Sequence, residues 1–139
     1  LGQERDDSSL LKKHLVTPTK KKLTPNQLSS GLFAWKVVKH TKSNAVVVAK
    51  NNKIISISGG QTSRVDATKI AFEKTKIPKG CVVASDAFFP FKDSIEKMAQ
   101  YKIAAIIQPG GSIRDGEVVE SCNKNKIAMA FTGFRVFKH

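Results

Sequence analysis

Cysteine, acidic residues and long apolar runs are all scarce in this 139-residue sequence. It has two cysteines, Cys81 and Cys122. A chain of this length can bury a core without disulfides, so we expect both thiols to be free and the protein to reside in a reducing, cytoplasmic compartment. No apolar run approaches the ~20 residues that span a bilayer, and the first residues do not form a signal peptide. Membrane spanning and secretion are therefore excluded as working hypotheses.

Residues suited to metal or nucleophilic chemistry are equally scarce. The sequence has no Cys-x-x-Cys pair, which a zinc deaminase needs in addition to a His or Cys and a Glu. Its three histidines, His14, His40 and His139, do not adjoin an obvious serine or cysteine nucleophile. We therefore expect neither a zinc site nor a hydrolase triad.

The charge balance is strongly basic, with 24 Lys and Arg against 11 Asp and Glu and a formal net charge of +13. Such a chain attracts polyanions, including nucleic acid, nucleotides and the glutamate tails of folates. No helix-turn-helix, zinc-finger or RRM pattern accompanies the lysines, so solvated helix faces are the simpler interpretation. A basic module that binds nucleic acid or mediates dimerisation, without catalysis, is the alternative.

The first 24 residues are polar and show no sustained period, which predicts a connecting arm with order beginning at Thr24. Thr24, Pro25 and Gln27 form a capping-box start, in which the hydroxyl accepts from an unpaired amide and the proline needs no partner. A helix is expected over about residues 25–40. Its predicted core-facing stripe consists of Leu28, Leu32, Trp35 and Val38.

Apolar runs of strand length recur along the rest of the chain. A short Asn-containing turn joins the first two into a hairpin, and the later ones alternate with segments of helical composition. The predicted strands are 45–49, 54–58, 81–85, 103–107 and 127–131, and the predicted helices are 62–76, 93–101 and 115–124. This pattern predicts a three-layer α/β/α domain with a mixed sheet of about five strands, the first antiparallel and the rest parallel through right-handed crossovers.

In such sheets ligands gather beyond the carboxyl ends of the strands, so residues 86–93, 108–115 and 132–139 should line one edge. The first of these loops crowds Phe88, Phe89 and Phe91 around Pro90. Three aromatic rings there form either a plug over the core or a platform on which a flat ligand ring stacks.

Two glycine pairs and the end of the chain add further candidates. Gly110 and Gly111 precede a predicted helix, where backbone amides could hold an anion, but a plain turn between strand and helix is the favoured interpretation. The segment 59–64 has the same form and adds Arg64, whose guanidinium suits phosphate. Arg135 and Phe137 would share one side of an extended tail, as a nucleotide clamp or as a fraying terminus.

Five separated segments resemble segments of one enzyme family and follow one another in the same order as in that family. The resemblance covers essentially all 139 residues. They are KHTKSNAVVVAK (39–50), GGQTSRVDATKIA (59–71), ASDAFFPFKD (84–93), IQPGGSIRD (107–115) and FTGFRVFKH (131–139). Together they resemble the carboxyl-terminal end of the AICAR transformylase/IMP cyclohydrolase family of bifunctional purine-synthesis enzymes.

This resemblance implies a fold and a reaction. Residues 25–139 would be the second of two cytidine-deaminase-like repeats of a transformylase domain, without zinc. That domain would transfer a formyl group from 10-formyltetrahydrofolate, its co-substrate, to the 5-amino group of the nucleotide AICAR. The cyclohydrolase domain of the parent enzyme would then close the ring to IMP.

The resemblance also implies site residues. Asn44 would lie beside the formyl group in transfer, where its neutral amide could donate to the oxyanion of the tetrahedral intermediate. AICAR would contact four residues: Arg64, Phe88, Arg135 and Phe137. The folate would contact six others: Val65, Pro90, Phe91, Asp93, Ser112 and Ile113.

Two features of the family have no counterpart in the sequence. They are the Lys-His dipeptide that leads a Ser-Pro-Ala-Gly-like motif in the first repeat, and the cyclohydrolase domain. Because numbering starts at Leu1, we expect a fragment with half the site, inactive alone. The intact enzyme is expected to be a homodimer that binds AICAR and folate but neither nucleic acid nor membrane. The resemblance suggests a monovalent cation near Thr41, Ser43 and Asp86.

Overall fold

The computed structural model describes residues 15–86 and 92–133, with the side chains of residues 64 and 92 left out. This part of the chain forms four helices and five strands. In chain order they are α1 Pro25–Lys39, β1 Val46–Lys50, β2 Lys53–Ser58, α2 Arg64–Glu73, β3 Val82–Ser85, α3 Lys92–Ala99, β4 Ala105–Gln108, α4 Asp115–Lys124 and β5 Ala128–Phe131. None of these helices has the length and apolar character needed to cross a bilayer.

The five strands form one mixed sheet in the order β2-β1-β3-β4-β5. Strand β1 lies between β2 and β3 and is antiparallel to both, whereas β3, β4 and β5 run parallel to one another. Four strands therefore share one direction and β1 alone is reversed. The prediction of a mixed five-stranded α/β sheet is confirmed.

Helices cover both faces of this sheet. Helix α1 packs Ala34, Trp35 and Val38 against one face. Helices α2, α3 and α4 cover the other face, where the largest cluster of buried side chains includes Phe72, Met98, Ile106, Val118 and Met129. The more specific likeness to cytidine deaminases stays a prediction.

The start of α1 follows its capping signal. The Gln27 amide donates to Thr24 Oγ1 at 3.1 Å, and the Thr24 amide donates to Gln27 Oε1 at 3.0 Å. These two bonds satisfy amides that a helix N-terminus otherwise leaves unpaired. Both the predicted capping box and the first residue of the helix are confirmed.

The buried stripe of α1 differs from the predicted one. Leu28 and Leu32 are only half-buried, and the stripe is centred on Gly31 and Ala34. The cause is close approach to the sheet: a Cβ at Gly31 would clash with Ile107 Cδ1 and lie 3.3 Å from Val82 Cγ1. Small residues set this contact, and a rule that counts only large apolar residues misses it.

Several element ends are also shifted. Strands β3, β4 and β5 begin one or two residues later than predicted. Before β4 and β5, Lys102 and Lys126 adopt left-handed conformations that close the preceding helices, and Gly80 has a positive φ before β3. Helix α2 begins at Arg64 rather than 62, since Ser63 is its N-cap and accepts from the Asp66 amide at 3.0 Å. It ends at Glu73 rather than 76, and α3 covers Lys92–Ala99 rather than 93–101.

The expectation that order begins at Thr24 is wrong for residues 15–23. Val16 forms a two-way backbone bridge with Phe131, with N to O distances of 3.0 and 2.7 Å. Thr19 is buried, and its Oγ1 accepts from the Met129 amide at 2.9 Å. A short polar segment thus covers the outer edge of β5, which an apolar pattern cannot signal.

The two cysteines are buried and unpaired with each other, as predicted. Burial raises the pKa of the Cys81 thiol, against a smaller lowering by Lys50. Burial also raises the pKa of Cys122 to about 12. Thiols that stay protonated at neutral pH are poor nucleophiles, so neither cysteine is a candidate for covalent chemistry.

The packing of Gly31 predicts opposite effects for two glycine substitutions. Gly31→Ala should lower the free energy of unfolding by about 1–2 kcal/mol, because overpacking against Ile107 outweighs the gain in helix propensity. Gly116→Ala is the matched control in α4, where a Cβ would meet nothing within 4 Å. It should raise the free energy by about 0.5–1 kcal/mol. Chemical denaturation measures both, and a neutral Gly31→Ala would contradict the packing.

Candidate functional site

The reversed direction of β1 brings five loops to one edge of the sheet. The amino end of β1 lies at the same edge as the carboxyl ends of β2, β3, β4 and β5. We call this edge the carboxyl rim; its described residues are 41–45, 59–63, 86, 109–114 and 132–133. In sheets of this kind the carboxyl ends of the strands are the usual place for ligands.

Asn44 is held at the rim by Gln61. Their backbones bond in both directions, from the Asn44 amide to Gln61 O at 3.2 Å and from the Gln61 amide to Asn44 O at 3.4 Å. The Asn44 side chain also donates from Nδ2 to Gln61 O at 2.9 Å. These bonds fix the orientation of the amide to which the resemblance assigns a catalytic role. Gln61 itself is not among the predicted residues, although it follows the Gly59-Gly60 pair directly.

Asp86 joins the loop after β3 to the segment before β1. Its Oδ1 accepts from the buried Ala45 amide at 3.2 Å, and its own amide donates to Ala45 O at 3.4 Å. The Gly60 amide donates to Lys42 O at 2.6 Å. Three loops of the rim are therefore cross-linked by backbone and carboxylate hydrogen bonds.

Thr41 and Ser43, two of the three residues predicted to surround a cation, precede β1, and the third, Asp86, bonds to Ala45 of the same segment. Thr41 Oγ1 donates to Val37 O at 2.7 Å, and the Ser43–Asn44 peptide bond is cis. Over residues 15–86 and 92–133, no group of three His, Cys, Asp or Glu side chains could hold a metal ion. The monovalent cation remains a prediction.

The loop after β4 behaves as a plain turn. Gly110 and Gly111 have φ values of 79° and 95°, and a Cβ at Gly110 would lie 2.8 Å from Phe131 Cγ. The Gly111 amide donates to Asp115 Oδ2 at 2.7 Å. Because a carboxylate of the chain itself takes this amide, the structure agrees with the favoured interpretation, a plain turn, rather than with the alternative of an anion cradle.

Two apolar side chains stand in solvent at this edge. Ile113 is fully exposed, and Val65, in the first turn of α2, is half exposed. Ser112 precedes Ile113, and its Oγ accepts from the Arg114 amide at 3.1 Å. Exposed apolar side chains at a rim of polar loops suit contact with a flat, partly apolar ligand.

The structure therefore brings six of the predicted site residues to one edge. These are Asn44, the backbone of Arg64, Val65, Asp93 in the first turn of α3, Ser112 and Ile113. The other five, Phe88, Pro90, Phe91, Arg135 and Phe137, lie outside the described residues. The roles assigned to all eleven stay predictions.

Known proteins are similar to this chain along its whole length. The family model described as "AICARFT/IMPCHase bienzyme" matches residues 1–74. The "Bifunctional purine biosynthesis protein PurH" of Aquifex aeolicus is 55% identical over 97% of this chain and 28% of its own length. The proteins of the same name from Persephonella marina and Petrotoga mobilis are 51% and 52% identical over the whole chain and 27% of theirs.

The chain thus spans little more than a quarter of the length of these curated relatives. Among solved structures, that of Acinetobacter baumannii RibD, form 2, is similar with a TM-score of 0.49 and 12% sequence identity. The match covers 90% of this chain and 34% of the other.

The cross-linked rim predicts a difference between two Asp86 variants. Asp86→Ala removes the acceptor of the buried Ala45 amide and should lower the free energy of unfolding by about 1–3 kcal/mol. Asp86→Asn keeps an oxygen at that position and should lose less than half as much. Denaturant titration gives the energies, and hydrogen exchange at Ala45 should accelerate in Asp86→Ala. Equal losses in both variants would show that this hydrogen bond does not stabilise the rim.

Proposed function

The chain belongs to the AICARFT/IMPCHase bienzyme family, and on this premise we propose that it forms part of a folate-dependent formyltransferase of purine biosynthesis. The formyl group would pass from 10-formyltetrahydrofolate to the 5-amino group of AICAR. The amine nitrogen would attack the formyl carbon, N10 of the folate would leave and accept a proton, and the amine would lose one.

The observation that supports this proposal best is the fixed position of Asn44 at the carboxyl rim. Its amide is oriented by the Gln61 carbonyl at 2.9 Å, and its backbone is tied to the same residue. A donor held in advance stabilises a developing oxyanion at no cost of reorganisation during the reaction. An amide also needs no particular protonation state to donate.

The chemistry of the acceptor explains why such a donor matters. The lone pair of the AICAR amine is delocalised into the imidazole and carboxamide, so the amine is a poor nucleophile. Catalysis must then depend on holding the amine close to the formyl carbon and on stabilising the tetrahedral intermediate. In this proposal Asn44 donates to the oxygen of that intermediate.

The remaining rim residues would bind the two substrates. Val65 and Ile113 offer exposed apolar contacts to the folate, and Asp93 could accept from pterin nitrogens. The phosphate of AICAR would pair with the Arg64 guanidinium. Phe88, Pro90, Phe91, Arg135 and Phe137 keep the roles that the resemblance assigns to them.

This chain would supply only part of the site. It spans 27–28% of its relatives' length. The proton from the amine would go to the Lys-His pair that leads the family's Ser-Pro-Ala-Gly-like motif, a motif that this sequence lacks; Lys39-His40 stands at a different place. We propose that the complete enzyme is a homodimer with two cytidine-deaminase-like repeats per transformylase domain. A monovalent cation near Asp86 belongs to the same proposal.

Complementation tests the proposal directly. The chain mixed with a folded first-repeat fragment that carries the Lys-His motif should restore formyl transfer from 10-formyltetrahydrofolate to AICAR. In that mixture Asn44→Ala should lower kcat about 10²–10³-fold with a smaller change in KM, as expected for loss of an oxyanion donor.

Asn26→Ala provides the matched control. Asn26 is exposed in the first turn of α1, at the edge of the sheet opposite the rim. Its substitution should leave kcat unchanged. No formyl transfer with both folded fragments present, or an unchanged kcat in Asn44→Ala, would refute the assigned role.

A further inference from the structure

A short polar segment runs along the outer edge of β5, and we call its residues 15–23 the strap. The backbone of Val16 exchanges two hydrogen bonds with that of Phe131, with N to O distances of 3.0 and 2.7 Å. Thr19 is 1% exposed, and its Oγ1 accepts from the Met129 amide at 2.9 Å. The strap therefore holds the last strand at two places, one of which is the final residue of that strand.

Hydrogen bonds around Thr19 keep the strap folded. The Thr19 hydroxyl also donates to Lys21 O at 2.8 Å, so it acts as donor and acceptor at once. The ammonium group of Lys22 donates to Thr17 O and to Thr19 O, each at 2.8 Å. One exposed lysine thereby closes the strap around the residue that contacts β5.

Phe131 connects the strap to the carboxyl rim. Its backbone is bonded to Val16, and its ring lies against Gly110 in the loop after β4. A Cβ at Gly110 would lie 2.8 Å from Cγ, 3.0 Å from Cδ2 and 3.1 Å from Cδ1 of this ring, and Gly110 is buried. The loop therefore packs directly on a ring whose backbone the strap holds.

This loop, residues 109–114, is also anchored by hydrogen bonds near both of its ends. The Gly133 amide, two residues after Phe131, donates to the first carbonyl of the loop at 3.0 Å. The Gly111 amide donates to Asp115 Oδ2 at 2.7 Å. The side chain of Ile113 is fully exposed, so its position depends on the backbone of the loop rather than on packing of its own.

We propose that the strap positions the rim loop 109–114 for its ligand, with Phe131 as the positioning residue between them. The inference rests on the proposed function, in which Ser112 and Ile113 of this loop contact the folate. The strap would not contact the reacting groups. It would keep the loop in the conformation that binds, because an apparent dissociation constant rises as the binding-competent fraction falls.

Hydrogen exchange tests the coupling without any ligand. Thr19→Val keeps the shape of the side chain but removes the acceptor of the Met129 amide. Exchange of the Gly111 and Gly133 amides should then accelerate about 5-fold, as expected for the loss of one buried hydrogen bond. Unchanged exchange at both amides would overturn the inference.

Ser56→Ala is the matched control for stability. Ser56 is buried in β2, at the other edge of the sheet, and its Oγ donates to Ala71 O at 2.7 Å. This variant also loses one buried hydrogen bond between a side chain and the backbone. It should leave exchange at Gly111 and Gly133 unchanged, and equal acceleration in both variants would show a loss of stability rather than a loss of positioning.

A pair of lysine variants repeats the test without altering the core. Lys22→Met removes the ammonium group that closes the strap, and Lys21→Met removes a neighbouring exposed charge whose contribution to the strap is its backbone carbonyl. Both variants lose the same charge and keep an unbranched chain. Only Lys22→Met should accelerate exchange at Gly111 and Gly133, and equal rates in the two variants would count against the strap.

Kinetics of the complemented enzyme distinguish positioning from catalysis. Thr19→Val should raise KM for 10-formyltetrahydrofolate about 5-fold and leave kcat within about 2-fold, because the loop would bind the folate and not the reacting atoms. Ser56→Ala should change neither constant. Faster exchange at the loop with an unchanged KM would reduce the strap to a structural element and overturn the inference.

A double-mutant cycle tests the route through Phe131. Phe131→Ala removes the ring under Gly110 and leaves the backbone bridge to Val16 possible; it should raise the same KM about 10-fold. The double variant Thr19→Val/Phe131→Ala should resemble Phe131→Ala alone, since the strap would act through the ring that is already absent. An additive rise of about 50-fold would contradict this route.

These outcomes are separable from a failure of the proposed function. Faster exchange at Gly111 and Gly133 in Thr19→Val and Lys22→Met, but in neither control, would support the strap even if the complemented enzyme transferred no formyl group. That result would refute the formyltransferase alone. Formyl transfer with unchanged exchange and unchanged KM in Thr19→Val would refute the strap alone.

Discussion

Strand β1 runs opposite to its two neighbours, and the candidate site depends on that reversal. If β1 were parallel to β2 and β3, its amino end would lie at the far edge of the sheet and Asn44 with it. Because it is antiparallel, Asn44 meets Gln61 from the loop after β2, and Ala45 meets Asp86 from the loop after β3. The short hairpin turn at Asn51 and Asn52, both in left-handed conformations, makes the reversal possible.

Much of this arrangement could be predicted from local sequence patterns. Buried strands of four to six residues, a hairpin turn and a capping box are local signals, and the mixed sheet follows from their order. The missed features depend on contacts between distant parts of the chain. Thr19 lies on the edge of β5, and Gly31 brings α1 close to Ile107, so neither could be recognised from neighbouring residues alone.

The candidate site likewise has features that the sequence predicts and features that it does not. Topology predicts that the loops after the parallel strands share one edge, and six of the eleven proposed residues lie there. The hydrogen bonds within the edge were not predictable. Gln61 was not predicted because its backbone carbonyl, rather than its side chain, orients Asn44. The glycine pair after β4 left an anion cradle open as an alternative, but the Gly111 amide donates to the Asp115 carboxylate instead.

The central claim is that loops from five strands form one binding edge for an aminoimidazole nucleotide. Titration of the ¹⁵N-labelled chain with AICAR, followed by amide NMR shifts, tests it most directly. The account predicts that the responding amides are those of Asn44, Gln61, Val65 and Ser112, with little change at Asn52, Lys79 or Asn125 on the opposite edge. Shifts concentrated on that opposite edge, or none at millimolar AICAR, would contradict it.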